Sequence, residues 1–427
     1  MSEPPMNDFQ RVMRQWAALA PYNCGPLMRV SGAPDVARWG AAFAHTVRPL
    51  GLTNADCLPV DVSTLAPDRK VAEELNRSFA PGDLPLRAYV VPGGNDSHWF
   101  GVMCDHWIAD SRSLRALMQR AFARYAGTDA DIAPLSLAND RHSRVGPLAH
   151  ASALIASTRN YLRHYRAHRM PLGDAADFTS DFMIKRFPIG AIHAIRAFAK
   201  QHHATVNDVF IAAAAQVLGE FTKPQREMSR VRFPRPRRDR VAIATAVDLR
   251  SAEDSQRDDI FGLALGYFSV VAERPEARSL AELAVAVAKE TDVSKSKTRA
   301  LEADWNLRMA RRMWDRLSHP RSKAQLFQKA MPLVAGISNV NLTGSWADQT
   351  EAIEGRPRVL DYLRVSPVGP LLPMVFTVTT IRDRLSLCVT FRTTAFSRAD
   401  CERLVDGFVD RLLSDSSHIR AAQQRVP

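Results

Sequence analysis

The sequence predicts a mixed α/β protein built as two lobes. Three observations carry that reading. The chain has 427 residues, enough for two domains of about 200 residues. Hydrophobic residues make up 46% and charged residues 24%, a globular balance. Runs of strand length are interspersed with segments of helical period, without the strict alternation of a doubly wound sheet.

Taken in order, Asp35 to Val47 (DVARWGAAFAHTV) has helical period behind an Asp that can cap it. Leu86 to Val91 reads as a strand. His98 to Cys104 (HWFGVMC) is an almost continuous apolar run, the pattern of a strand buried on both faces. Ser111 or Ser113 can cap the next helix, where Leu114, Leu117, Met118, Ala121 and Phe122 share one face. A helix is expected from His150 to Arg166. Met170-Pro-Leu-Gly then breaks the pattern, so the boundary is placed between lobes 1–172 and 173–427.

The second lobe opens with a strand, Phe182 to Phe187, and a helix, Ile189 to His202. From Thr205 runs a very apolar helix, VNDVFIAAAAQVLGEF. Strands follow at Val241 to Asp248, Leu265 to Ala272, Leu333 to Ser338, Met374 to Ile381 and Leu385 to Phe391. Helices are expected at Leu280 to Lys297, Trp305 to Leu317 and Ser397 to Leu413.

Several functions lose support. The chain lacks G-x-G-x-x-G after a strand, G-x-x-x-x-G-K-[ST], H-E-x-x-H and G-x-S-x-G, the signatures of nucleotide, zinc-protease and serine-hydrolase sites. The five cysteines form no C-x-x-C and no cluster with histidine. This argues against a metal site and a disulfide framework and fits a cytoplasmic location. His202-His203 has no third ligand nearby and reads as surface histidine. No run of 18 apolar residues and no apolar leader is present.

The net charge is +12, from 48 Arg and 9 Lys against 45 acidic residues. Such a surface favours anionic partners, although arginine-rich usage also follows from GC-rich coding. The densest run, Arg226 to Arg240, holds seven arginines, two prolines and one aromatic, Phe233. Without interleaved stacking aromatics it does not read as a nucleic-acid platform, and no nucleic-acid partner is expected. It reads as an exposed loop.

The segment with chemistry is Trp99-Phe-Gly-Val-Met-Cys-Asp105-His106-Trp107-Ile-Ala-Asp110-Ser111. A buried strand ends at a histidine, an aspartate follows four residues later, and a helix begins. The segment resembles the superfamily of chloramphenicol acetyltransferase, condensation domains and wax-ester synthases, whose hallmark is [HD]H-x-x-x-D-G after a core strand. Here Asp105 stands at the first histidine and Ser111 at the glycine. Further blocks are similar to the wax-ester synthase and diacylglycerol acyltransferase branch: Thr205-Val-Asn207-Asp208-Val, Val247-Asp248-Leu249-Arg250 and Ser338-Asn339-Val340. They occur in family order. The D-F-G-W-G block of the plant and sugar branches is absent, with Asn341-Leu-Thr-Gly near its place.

The resemblance implies two chloramphenicol acetyltransferase-like lobes with an active-site tunnel between them, and acyl transfer within a ternary complex. A histidine with pKa near 6.5 suits the base that activates the acceptor and returns the proton to the leaving thiol. His106 takes that role. Asp110 is implied to hold the loop through an arginine, with Arg48, Arg87 and Arg250 as candidates.

Asn207 and Asp208 read first as helix-start residues and second as substrate contacts. Ser338 and Asn339 can supply oxyanion donors, or simply form a strand end. Trp107 packs beside the motif and can shape the acceptor channel. Arg235, Arg237 and Arg238 can meet an acidic carrier protein or coenzyme A phosphates.

No permanent cofactor is implied. A phosphopantetheine thioester is the co-substrate, an alcohol or amine the acceptor, and a monomer the expected state. Two alternatives stay open. One is a glyceride or wax-ester synthase working at a membrane surface. The other is a non-catalytic recruitment module.

Overall fold

A computed structural model describes residues 6–80, 82–128, 132–137, 155, 158, 160–230, 238–250, 253–294, 308–344 and 355–414. In chain order the strands are β1 (Asn23–Ser31), β2 (Val60–Val62), β3 (Leu86–Pro92), β4 (Ser97–Asp105), β5 (Ser136–Leu137), β6 (Ser180–Arg186) and β7 (Arg240–Asp248). Then come β8 (Ile260–Phe261), β9 (Leu265–Glu273), β10 (Ala335–Asn341), β11 (Val359–Val365), β12 (Met374–Ile381) and β13 (Arg384–Arg392).

Two sheets form the two lobes. The first has the order β11-β1-β4-β3-β2 and the second β6-β13-β12-β10-β7-β9. The boundary near residue 172 falls between β5 and β6, but the lobes exchange segments across it. β11 leaves the second half of the chain and pairs antiparallel with β1, Leu27 opposite Leu363. β5 pairs in parallel with β8, Ser136 opposite Ile260. The helix Asp8–Ala17 sends Phe9 and Trp16 into a cluster with Ala242, Trp314 and Phe327 of the second half.

β4 is buried over nearly its whole length, and its alternation serves two cores. Phe100, Val102 and Cys104 face the helices Val36–Val47 and Ser111–Ala126, with Trp39, Phe43 and Leu117. Trp99 and Met103 face Leu27, Tyr89 and Phe182 of β6. Trp39 stacks on Phe100 at 3.9 Å and on Tyr125 at 3.8 Å, and donates its Nε1 proton to His98 Nε2 at 2.9 Å. Gly101 lets Tyr89 lie across the strand, since a Cβ there would fall 2.3 Å from the Tyr89 ring.

The second core forms around the helix Val206–Arg230. Val209 to Ala215 are all buried, against the sheet and the helix Arg398–Ser414. That explains a run too apolar to show one face.

Three expectations need correction. The helix after His106 is capped by Asp110, one residue before Ser111. The helix from Thr205 continues past Pro224 to Arg230, so Arg226 is in no exposed loop. It is 1% exposed and pairs with Glu276 at 2.7 Å. Strand β10 runs two residues later than expected at its start and three at its end. The helices Asp8–Ala17, Pro67–Asn76 and Pro320–Ala330 and strands β1 and β11 were not anticipated. Most of 150–159 lies outside the described residues.

Candidate active site

β4 delivers its last residues to the seam between the lobes, and the loop after it is tied at both ends. His106 N–H donates to Tyr22 O at 3.0 Å, and Asp110 N–H donates to Gly262 O at 3.1 Å. One anchor precedes β1 in the first lobe, and the other follows β8.

The imidazole of His106 is half-buried. Its Nδ1 lies 3.1 Å from Ala109 O and 3.1 Å from Cys24 Sγ. A carbonyl oxygen can only accept, so Nδ1 carries the proton and Nε2 keeps its lone pair. Loss of hydration lowers the His106 pKa to about 4, against smaller opposing effects of the Ala109 carbonyl and Asp110. The ring is therefore neutral near pH 7, with one basic nitrogen fixed by the bond on the other.

Asp110 is turned to structure. Oδ1 accepts from Arg112 N at 3.1 Å, Ser113 N at 3.0 Å and Arg250 Nη2 at 2.9 Å, and Oδ2 accepts from Ala264 N at 2.9 Å. A carboxylate with four donors has little capacity left as a base. Of the three candidate arginines, Arg250 reaches it. Arg48 pairs with Asp56, and Arg87 with Glu74. Arg250 also donates to Asp248 and Ser113.

Asp105 carries a carboxyl pushed up to about 6 by burial, offset by hydrogen bonds from Trp107 and the charges of Arg14 and Arg87. Trp107 lies under Arg14, 5.4 Å from its ring centre, and packs toward the helix Asp8–Ala17.

His106 lines a cavity of about 30 Å³ with Cys24, Ser111, Leu114, Tyr362, Arg364 and Ser366 among its neighbours. That is room for one or two water-sized atoms. A larger cleft of about 840 Å³ opens on the other side of β11, where Asp361, Arg29, Trp99 and Arg398 line it.

Sequence reading missed Arg364. It is 4% exposed and donates to Thr379 Oγ1, Ser111 Oγ and Ser338 Oγ at 3.1 Å each, and to the carbonyls of Ser338 at 3.1 Å and Val378 at 2.6 Å. No carboxylate pairs with it among the described residues. Burial lowers its pKa to about 10, so it stays charged near neutrality. Its signal in the sequence was a cation within an otherwise strand-like run, VLDYLRV.

Of the other singled-out residues, Ser338 touches the site through Arg364. Asn339 follows it on β10, with a buried Oδ1 that has no partner among the described residues. Asp208 closes a capping box with Thr205, accepting from its N–H at 2.8 Å, and also accepts from Thr291 at 2.8 Å. Asn207 is the second residue of the same helix. Neither lines the cavity at His106. Arg238 donates to Ala167 O at 3.0 Å, while Arg235 and Arg237 lie outside the described residues. Among the described residues no group of three or more histidine, cysteine or acidic side chains is placed to hold a metal, and no helix is long and apolar enough to cross a membrane.

No family model matches the sequence, and no curated protein matches it. Solved structures do. The EpoB nonribosomal peptide synthetase cyclization-docking bidomain from Sorangium cellulosum superposes with a TM-score of 0.67 at 13% identity, over 97% of this chain and 85% of its own. The first condensation domain of the CDA synthetase gives 0.65 at 13% identity, over 97% and 96%. The X-domain from teicoplanin biosynthesis, in its complex with OxyB, gives 0.51 at 15% identity, over 97% and 94%. The chain thus has the two-lobed condensation-domain fold.

Proposed function

We propose that the protein is an acyltransferase. It moves an acyl group from a phosphopantetheine thioester, on coenzyme A or on a carrier protein, to a hydroxyl or amine. The observation that carries this reading is the state of His106. Its Nδ1 proton is committed to Ala109 O, its Nε2 has no hydrogen-bond partner among the described residues, and it lies at the seam of a condensation-type fold.

In this reading Nε2 takes the acceptor's proton as the acceptor attacks the thioester carbonyl, and returns it to the departing thiol. Asp110 is a positioning residue. Through Arg250 and Ala264 it fixes the helix start against the second lobe, and so the loop carrying His106. The setting of the neighbours in nonribosomal peptide synthesis supports a carrier-bound donor. Arg235, Arg237 and Arg238 are the proposed docking residues, and replacing all three with alanine should raise KM for the donor with kcat retained. An unchanged KM ends that part of the proposal.

The main test is thiol release from a panel of acyl-coenzyme A and acyl-carrier donors with mixed alcohols and amines, lipid alcohols included. Release that depends on acceptor and vanishes in His106→Ala supports acyl transfer.

A second reading, recruitment without catalysis, is supported by the narrowness of the cavity and by the X-domain likeness. It gains if His106→Ala and wild type are equally silent while both bind a carrier protein.

A further inference from the structure

Ser111 stands where the resembling families carry glycine, and its hydroxyl meets Arg364 at the cavity that His106 lines. Its oxygen accepts a hydrogen bond from Arg364 Nη1 at 3.1 Å. A serine hydroxyl has one proton to give, and that proton has no acceptor among the described residues. Ser111 and His106 line the same small cavity. The hydroxyl is therefore held by its oxygen, and its hydrogen has no acceptor among the described residues at the cavity that the imidazole also lines.

Arg364 adds a second observation. A buried guanidinium bonded only to neutral groups is costly to keep unless negative charge forms nearby. Three of its neutral partners, Ser111, Ser338 and Thr379, are hydroxyls that it polarises, and of these Ser111 lines the cavity. Donors fixed around a site where charge develops stabilise the transition state more than the ground state. The cavity, of about 30 Å³, has room for a small group beside the imidazole.

We propose that Ser111 is a catalytic hydroxyl that donates to the oxyanion formed on the thioester carbonyl, with Arg364 behind it as the positioning residue. This rests on the acyl-transfer reading. As the acceptor oxygen or nitrogen bonds to the carbonyl carbon, its proton passes to His106 Nε2 and the carbonyl pair moves onto oxygen. Ser111 hydrogen-bonds that oxyanion and keeps its own proton throughout. The pair then returns, the C–S bond breaks, and the thiolate takes the proton from His106.

The experiment measures thiol release from acetyl-, hexanoyl- and palmitoyl-pantetheine with hydroxylamine as a general acceptor, at several donor concentrations. Wild type, His106→Ala, Ser111→Ala, Ser111→Thr and Arg364→Met are compared, each with its melting curve. Ser111→Ala should lower kcat about 10²-fold and leave KM within about twofold. Ser111→Thr keeps a hydroxyl and should recover most of the rate. Arg364→Met should lower kcat in the same sense.

If Ser111→Ala retains kcat within about threefold of wild type while His106→Ala is silent, the Ser111 proposal falls and acyl transfer stands. If folded Ser111→Thr is as slow as Ser111→Ala, the role is packing and the proposal also falls. Wild-type release no faster than His106→Ala overturns both.

Discussion

Asp110 and Arg250 meet across the seam of the molecule. Their nitrogen and oxygen lie 2.9 Å apart with both side chains 3% exposed, although 140 residues separate them. The pair fastens the first turn of the helix Ser111–Ala126 to the end of β7, immediately beyond the loop that carries His106. Replacing Arg250 with alanine strands a buried carboxylate, and a cost of ~3–5 kcal/mol is expected. Urea unfolding of Arg250→Ala, Asp110→Ala and the double variant measures it. The two losses should be strongly non-additive, and additive losses would mean the pair is not coupled.

Three histidines make stability depend on acid. His106, His164 and His168 each have a folded pKa near 4, in every case mainly because burial disfavours the charged ring. In the unfolded chain they titrate at the ordinary value near 6.5. Between those values the unfolded state binds more protons, so their contribution is fully present above pH 6.5 and is lost as the pH falls toward 4. The urea midpoint should fall steadily from pH 7 to 4.5, and replacing His164 with asparagine should flatten that slope.

In the proposed mechanism the same shift in His106 sets the acid limb of activity. A base with a pKa of about 4 stays deprotonated well below the usual histidine range. The pH–rate profile of thiol release should remain flat from pH 7 down to about 5. A limb turning at 6.5 would mean that the ring is hydrated in the working enzyme.

Gly101 gives a packing test inside β4. A methyl there would be driven into the ring of Tyr89, which is fully buried and cannot swing into solvent. Gly101→Ala should cost ~1–3 kcal/mol by overpacking. Gly32→Ala, where the residue meets no neighbour but has φ of 87°, tests backbone strain in the same assay.

Arg226 should behave as a core residue. Its guanidinium pairs with Glu276 and donates to Thr222, Gly219 O and Asp239 O. Arg226→Ala is expected to destabilise by ~3–5 kcal/mol, because it leaves a largely buried carboxylate unpaired. A loss under ~1 kcal/mol would place it with ordinary surface arginines.

What the sequence made legible was local. β4 announced itself because burial on both faces makes the run from Trp99 to Cys104 continuously apolar. The helix Val36–Val47 was readable from its period and from Asp35. Asp110 was missed as the cap because two serines offered the same chemistry within three residues. Arg226 was missed because composition alone favoured an exposed loop, whereas Thr222, Gly219 and Glu276 give the charge a buried home. Arg364 could not be placed from sequence, since its importance comes from Ser111 and Ser338, partners 253 and 26 residues away.

The passage of β11 into the first sheet has a consequence for synthesis. Until residue 365 clears the ribosome, β1 has β4 on one side and an open edge on the other. An emerging first lobe therefore presents unpaired backbone during the making of most of the remaining chain, and such edges recruit other strands. Nascent chains stalled before β11 should need chaperone protection that the finished protein does not.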